Sequence, residues 1–274
     1  MTGSPTLAGL FWTQLRIELR LFFRSPLQAF FSLIFPLLML LVFATLFGNG
    51  RMGLLGVTAA QFYAPALAVY GAVSTAYWNL SISVVTAREL GVLKRIRGTP
   101  LPPSVYMAAR LAASTWIAFL AIAIMIGAGV AMYGVTVYAH TLAAAAVTFV
   151  VGVGCFAALG LVIASISPNA KTTPALTSAT LLPLSFISEV FIPPSASAPA
   201  WLGQFADLFP LKHFARAFSG AFNPSLHGSG FAWSDAGGTY AIGPHIAVMA
   251  AWGTVAVVVA VRWFSWEPRP EKSR

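Results

Sequence analysis

Stretches of about 20 apolar residues, separated by short basic connections, recur along this chain and limit its fold more than any motif does. A helix of that length crosses the roughly 30 Å hydrocarbon core of a bilayer. Lipid offers the backbone no hydrogen bonds, so a spanning segment of this kind must be helical. The stretches fall at 27–47, 59–85, 105–133, 142–166, 174–191 and 242–263, which predicts an all-α integral membrane protein with six transmembrane helices. Composition agrees: 58% of residues are hydrophobic and 8% charged, whereas about a quarter of a soluble domain is charged. A soluble enzyme or binding module is excluded.

The formal net charge is +9, but the cations lie between the apolar runs and do not form a nucleic-acid patch, so no nucleic-acid partner is expected. On the predicted topology thirteen of the sixteen Lys and Arg residues fall on one side, and only Arg51, Lys212 and Arg216 fall on the other. The positive-inside rule then places both termini in the cytoplasm of a multi-pass protein of the cell membrane. His140, His213, His227 and His245 face outward on this reading. Cys155 is the one cysteine, which leaves no intrachain disulfide or cysteine zinc cluster. No small-residue cleavage site follows the first apolar run, so no cleaved signal is expected.

Residues 7–24 have the pattern of an amphipathic elbow helix lying on the membrane. Thr13, Arg16, Arg20 and Arg24 form a polar stripe, and Leu15, Leu19 and Phe22 an apolar one. Glu18 falls opposite the arginines and calls for a partner within the protein, or else a shorter helix. Ser25-Pro26 breaks the helix before the first span. At the other end, 192–240 is too long and too aromatic for an idle loop. Within it, 201–218 reads as two short re-entrant helices parted by Pro210, and 223–238 as an exposed loop. The chain is expected to form a single membrane domain over 1–274.

No lysine follows a glycine, so the phosphate-binding G-x-x-x-x-G-K-[ST] loop is absent from the sequence. Gly152, Gly154 and Ala157 mimic a dinucleotide fingerprint, but they sit mid-helix without a preceding strand and suit close helix packing. Acids are few, and no catalytic, cofactor-binding or metal-binding residues are expected. The most informative connection is 87–97, followed by the proline-rich 98–103. Read as one helix, it sets Glu89, Val92, Leu93 and Ile96 on one face, beside the cations Arg88, Lys94 and Arg95. A small apolar face edged by an acid suits docking into a groove on another protein. The alternative is an ordinary basic loop.

At this point the chain resembles the type-2 ABC exporter permeases, the membrane subunits of daunorubicin-type drug exporters and of polysaccharide and lipid exporters. The run from Arg88 to Pro100, Arg-Glu-Leu-Gly-Val-Leu-Lys-Arg-Ile-Arg-Gly-Thr-Pro, resembles the family's coupling helix. Ser167-Pro168-Asn169-Ala170 is similar to its Pro-Asn-Ala turn. Phe186-Ile187-Ser188-Glu189, with Phe209-Pro210-Leu211-Lys212-His213, resembles its outer re-entrant region. Glu189 stands where the family commonly has glycine. The resemblance implies an ATP-driven exporter of an amphipathic drug-like or lipid substrate. It further implies two copies of a separate ABC ATPase that carries ATP and Mg, a second permease chain, identical or homologous, and contact with membrane lipids. Tyr70, Tyr77, Trp78 and Phe156 are candidates for the substrate path. Glu189, paired with Lys212 or Arg216, is a candidate outer gate, unless it is simply a solvated helix end. The rival readings are a secondary transporter or channel and, after these, a lipid-modifying membrane enzyme.

Overall fold

The computed structural model describes residues 6–47, 51–52, 57–99, 101–193, 199–223 and 242–263, and these are almost wholly helical. Helix α1 (Leu7–Phe23) starts where the Thr6 hydroxyl accepts from Gly9 N at 3.2 Å, satisfying one of the orphan amides of a helix N-terminus. Pro26 opens the next helix at a position that needs no donor. That helix, Pro26–Phe47, comprises α2 (Pro26–Ala29), a π-turn at Phe30–Ile34 and α3 (Phe35–Phe47). A two-residue hairpin, β1 (Arg51–Met52) with β2 (Val57–Thr58), leads into α4 (Ala59–Val73). Every residue of α4 is buried, so it forms the axis of the bundle. It continues through a second π-turn, Ser74–Asn79, into α5 (Leu80–Glu89).

After the short α6 (Val92–Arg97) come α7 (Pro103–Tyr133), α8 (Leu142–Ile166) and α9 (Thr173–Ile187). Two short helices follow, α10 (Ala200–Ala206) and α11 (Pro210–Gly220), and then α12 (Gly243–Trp263). The helical break predicted at Pro210 is present. Among the described residues four helices are long and apolar enough to cross a membrane: Pro26–Phe47, Pro103–Tyr133, Ala139–Ile166 and Gly243–Trp263. The predicted fifth span is shorter than expected, since α9 ends at Ile187 rather than 191. The expected loop at 223–238 lies, apart from Asn223, outside the described residues.

Helices α3, α7 and α11 pack around α4, and α8 packs along α12. Gly160 lets α8 close on the second π-turn, since a Cβ there would stand 2.9 Å from Ala76 O. Gly152 faces the Phe214 ring, whereas nothing approaches Gly154, so the packing explanation holds for the first glycine and not the second. The two π-turns meet. Asn79 Nδ2 donates to Ser32 Oγ at 2.6 Å, and the Phe31 and Trp78 rings pack edge to face.

Candidate functional sites at the two ends of the bundle

At the basic end the expected single helix over 87–97 is broken. Glu89 closes α5, Gly91 takes φ +66°, and α6 starts afresh at Val92. Glycine alone adopts that left-handed backbone without steric cost, so the chain reverses there and Glu89 does not share a face with Leu93. The apolar face of α6 is spent within the chain: Leu93 and Ile96 are buried against Ala87 and Tyr106, with Val92 at the edge. The surface left outward is Leu90, Lys94 and Arg95.

Arg88 is only 1% exposed, which removes it from any surface that meets a partner. Its Nη1 donates to Ala164 O at 3.0 Å and its Nη2 to Ser167 O at 2.6 Å. These carbonyls end α8, where a helix leaves acceptors unsatisfied and favours a cation. Glu89 Oε1 accepts from Ala170 N at 2.9 Å. Arg88 and Glu89 therefore hold the two sides of the Ser167–Ala170 turn that joins α8 to α9. Thr99 Oγ1 donates to Ile96 O at the exit of α6, and Tyr106 of α7 packs with Leu93 and Ile96, so α6 is tied to that helix as well.

Glu18, the exception in the amphipathic pattern of α1, meets Arg110 of α7 at 3.1 Å. Gln14 Nε2 donates to its other oxygen at 2.9 Å, and Arg110 Nη1 reaches Ser83 O at 3.3 Å. A buried carboxylate needs such partners.

At the opposite end Glu189 sits just past α9 with φ +61°, among the described residues the one non-glycine in that region. A glycine is the usual occupant of such a backbone after a helix C-terminus, so Glu189 holds a conformation that glycine would adopt at less cost. Arg216 of α11 binds Glu189 with both prongs, Nε to Oε2 at 2.9 Å and Nη2 to Oε1 at 2.5 Å. That carboxylate holds the Arg216 guanidinium above its ordinary pKa. Lys212 does not join this pair; its Nζ lies 2.6 Å from Asp207 Oδ1 and 2.8 Å from Gly203 O. Beside them His213 Nε2 lies 2.8 Å from Asp207 O, and His213 Nδ1 lies 2.8 Å from His245 Nδ1. The carbonyl can only accept, so a neutral His213 carries its proton on Nε2 and accepts on Nδ1 from His245. Two scattered histidines of the sequence thus form a pair, a juxtaposition no local pattern announces.

The aromatic candidates divide. Tyr77 and Phe156 pack edge to face at 6.3 Å, and Phe156 stacks on Phe214, while the Tyr77 hydroxyl lies 2.6 Å from Thr180 Oγ1 of α9. Tyr70 contacts Phe35 and Phe191 instead, and Trp78 contacts Phe31. Tyr70, Tyr77 and Phe156 are buried. Among the described residues no three His, Cys, Asp or Glu side chains converge on a metal position.

Residues 9–223 match the model of the ABC-2 type transporter family. No curated protein matches the chain.

Proposed function

Since the chain belongs to the ABC-2 type transporter family and is a transmembrane permease subunit of an ABC transporter, we propose that it is the membrane half of an ATP-driven exporter whose ATPase is a separate chain. On this reading ATP and Mg are bound by the ATPase, two copies of which meet two permease chains, identical or homologous. The single domain of this chain spans the cell membrane six times, the run 59–89 and α9 adding to the four long apolar helices, with both termini in the cytoplasm. Helix α1 is the elbow on the inner surface, and α10 and α11 are re-entrant from outside.

The observation that carries this reading is the construction of α6. Its outward side offers Lys94 and Arg95, with Leu90 at the end of α5 beside Arg95, while its inward side is anchored by Leu93 and Ile96 on Tyr106 of α7. Through Arg88 and Glu89 the adjoining end of α5 also grips the α8–α9 turn. A push on α6 from an ATPase groove would therefore move three helices as one body. Helix α9 buries one stripe, including Thr177, Leu181 and Ser185, and leaves the rest half-buried or exposed. Its open face, beside Tyr77, is the side along which an amphipathic or lipid-like substrate passes between two permease chains. The Glu189–Arg216 pair closes the outer end at rest.

The test is purification of the chain in mild detergent with whatever it binds, followed by reconstitution in vesicles. Recovery of an ABC ATPase and ATP-dependent movement of a fluorescent amphiphile support the reading. A chain that carries no ATPase, yet moves solutes down an ion gradient, refutes it.

A further inference from the structure

Between α1, α5 and α7, at the basic end of the bundle, lies a cavity of ≈ 560 Å³, within the range of about 300–1,000 Å³ typical of small-molecule sites. Its walls are mainly apolar, with Ile17 and Leu21 of α1 facing Ile82 of α5 and Ile117 of α7. Ile17, Leu21 and Leu90 line the cavity and are also exposed, so its mouth opens beside α1.

Polar side chains converge inside. Glu18, Arg110, Asn79 and Ser114 all line it, and each is more than nine-tenths buried. Asn79 and Thr75 come from the second π-turn, a distortion that recurs at functional sites. Glu18 and Arg110 neutralise each other, and Gln14 and Ser83 O add to their bonding, while a guanidinium with five N–H donors and a carboxylate with two oxygens can take further hydrogen bonds from a ligand. A ligand phosphate would have to displace Glu18, and a ligand ammonium would have to displace Arg110. The walls fit one hydrocarbon chain, and the polar groups fit a head that donates and accepts hydrogen bonds without net charge.

We propose that the cavity beneath α1 is a binding site for a single-chain amphiphile with an uncharged, hydroxyl-bearing head, drawn from the leaflet beside α1. The head lies against the Glu18–Arg110 pair, and the chain lies along Ile82, Ala113 and Ile117. This site sits within one permease chain, away from the open face of α9, and its occupancy needs no ATPase.

The test uses the purified full chain in phosphatidylcholine nanodiscs, with a monoacylglycerol carrying a diazirine on its chain as probe. Photolabelling is expected on the cavity-facing residues of α1, α5 and α7, and excess unlabelled monoacylglycerol should remove it. Ala113→Phe and Ser114→Phe, which fill the space, should each lower that labelling about fivefold or more and leave labelling of lipid-facing α12 unchanged. Competition on the unaltered chain decides the question even where a bulky variant fails to insert. Label spread evenly over lipid-facing helices, label that competitor does not displace, or stronger displacement by an anionic single-chain phospholipid would each overturn the proposal. Because no ATPase is present, failure here leaves the export reading standing, and the reverse also holds.

Discussion

Glu18 of α1 and Arg110 of α7 meet 3.1 Å apart with side chains 9% and 7% exposed, so a helix on the edge of the bundle is joined to it by a buried ion pair. Removing one partner strands the other charge, which commonly costs about 3–5 kcal/mol, whereas replacing both with apolar residues of similar size is often neutral. Glu18→Leu or Arg110→Met alone should lower thermal stability in detergent markedly. The double variant should recover most of the loss. Equal destabilisation by single and double variants would show that the pair does not act as a unit.

Arg88 and Glu89 hold one turn from two sides but differ in burial. Arg88→Ala removes two charge-assisted bonds to the end of α8 and leaves those carbonyls without that donor, at about 1.5–3 kcal/mol for each bond. The expected readout is poor yield and a lowered melting temperature. Glu89→Ala, at an exposed position, removes the acceptor for Ala170 N and should change stability by about 0.5 kcal/mol while reducing ATP-dependent export. Full export with Glu89→Ala would remove this hold on the turn from the coupling path.

Substitutions on the two sides of α6 should separate folding from coupling. Leu93 is fully buried, so Leu93→Asp places a charge in an apolar cluster and should prevent stable insertion. Lys94→Glu and Arg95→Glu lie on the outward side and should leave the melting temperature within a few degrees while abolishing substrate-dependent ATP turnover. Normal turnover in both charge reversals would show that the ATPase meets another surface.

Much of this architecture was legible in advance because apolar length and charge placement act directly on a chain in lipid. The four long apolar helices, the break at Ser25-Pro26 and the helix pair around Pro210 all rest on such local rules. The error at 87–97 came from treating Gly91 as a neutral member of a helix, when its left-handed backbone divides the segment and turns Leu93 inward. Arg88 looked like a surface cation because its acceptors, Ala164 and Ser167, are 76 and 79 residues away. The pairing of Glu189 with Arg216 was readable as one of two options, and only the fold sends Lys212 to Asp207. Glu18 was the one outlier in a regular pattern, and such an outlier is a signal of a tertiary partner.

Glu189 combines backbone strain with an ion pair, and substitutions can separate the two. A non-glycine residue in the left-handed region costs roughly 1–2 kcal/mol, and a partly exposed pair returns about 0–1 kcal/mol. Glu189→Gly, which loses both, should be as stable as the parent or more so. Glu189→Ala, which loses only the pair, should be no more stable than the parent. If the pair gates the outer end, both variants should raise ATP turnover in the absence of substrate. Basal turnover unchanged in both would mark Glu189 as a solvated helix end.

The central claim, that the outward side of α6 receives the force of a separate ATPase, is tested most directly by cross-linking from that side. In a Cys155→Ser background, Arg95→Cys should be captured by a short bifunctional thiol reagent onto an ABC ATPase chain, in a yield that changes when ATP is added. Leu93→Cys, facing inward, should not be captured. Capture absent from Arg95→Cys, together with labelling of that cysteine by an impermeant reagent in intact cells, would place α6 outside the cytoplasm and contradict the account.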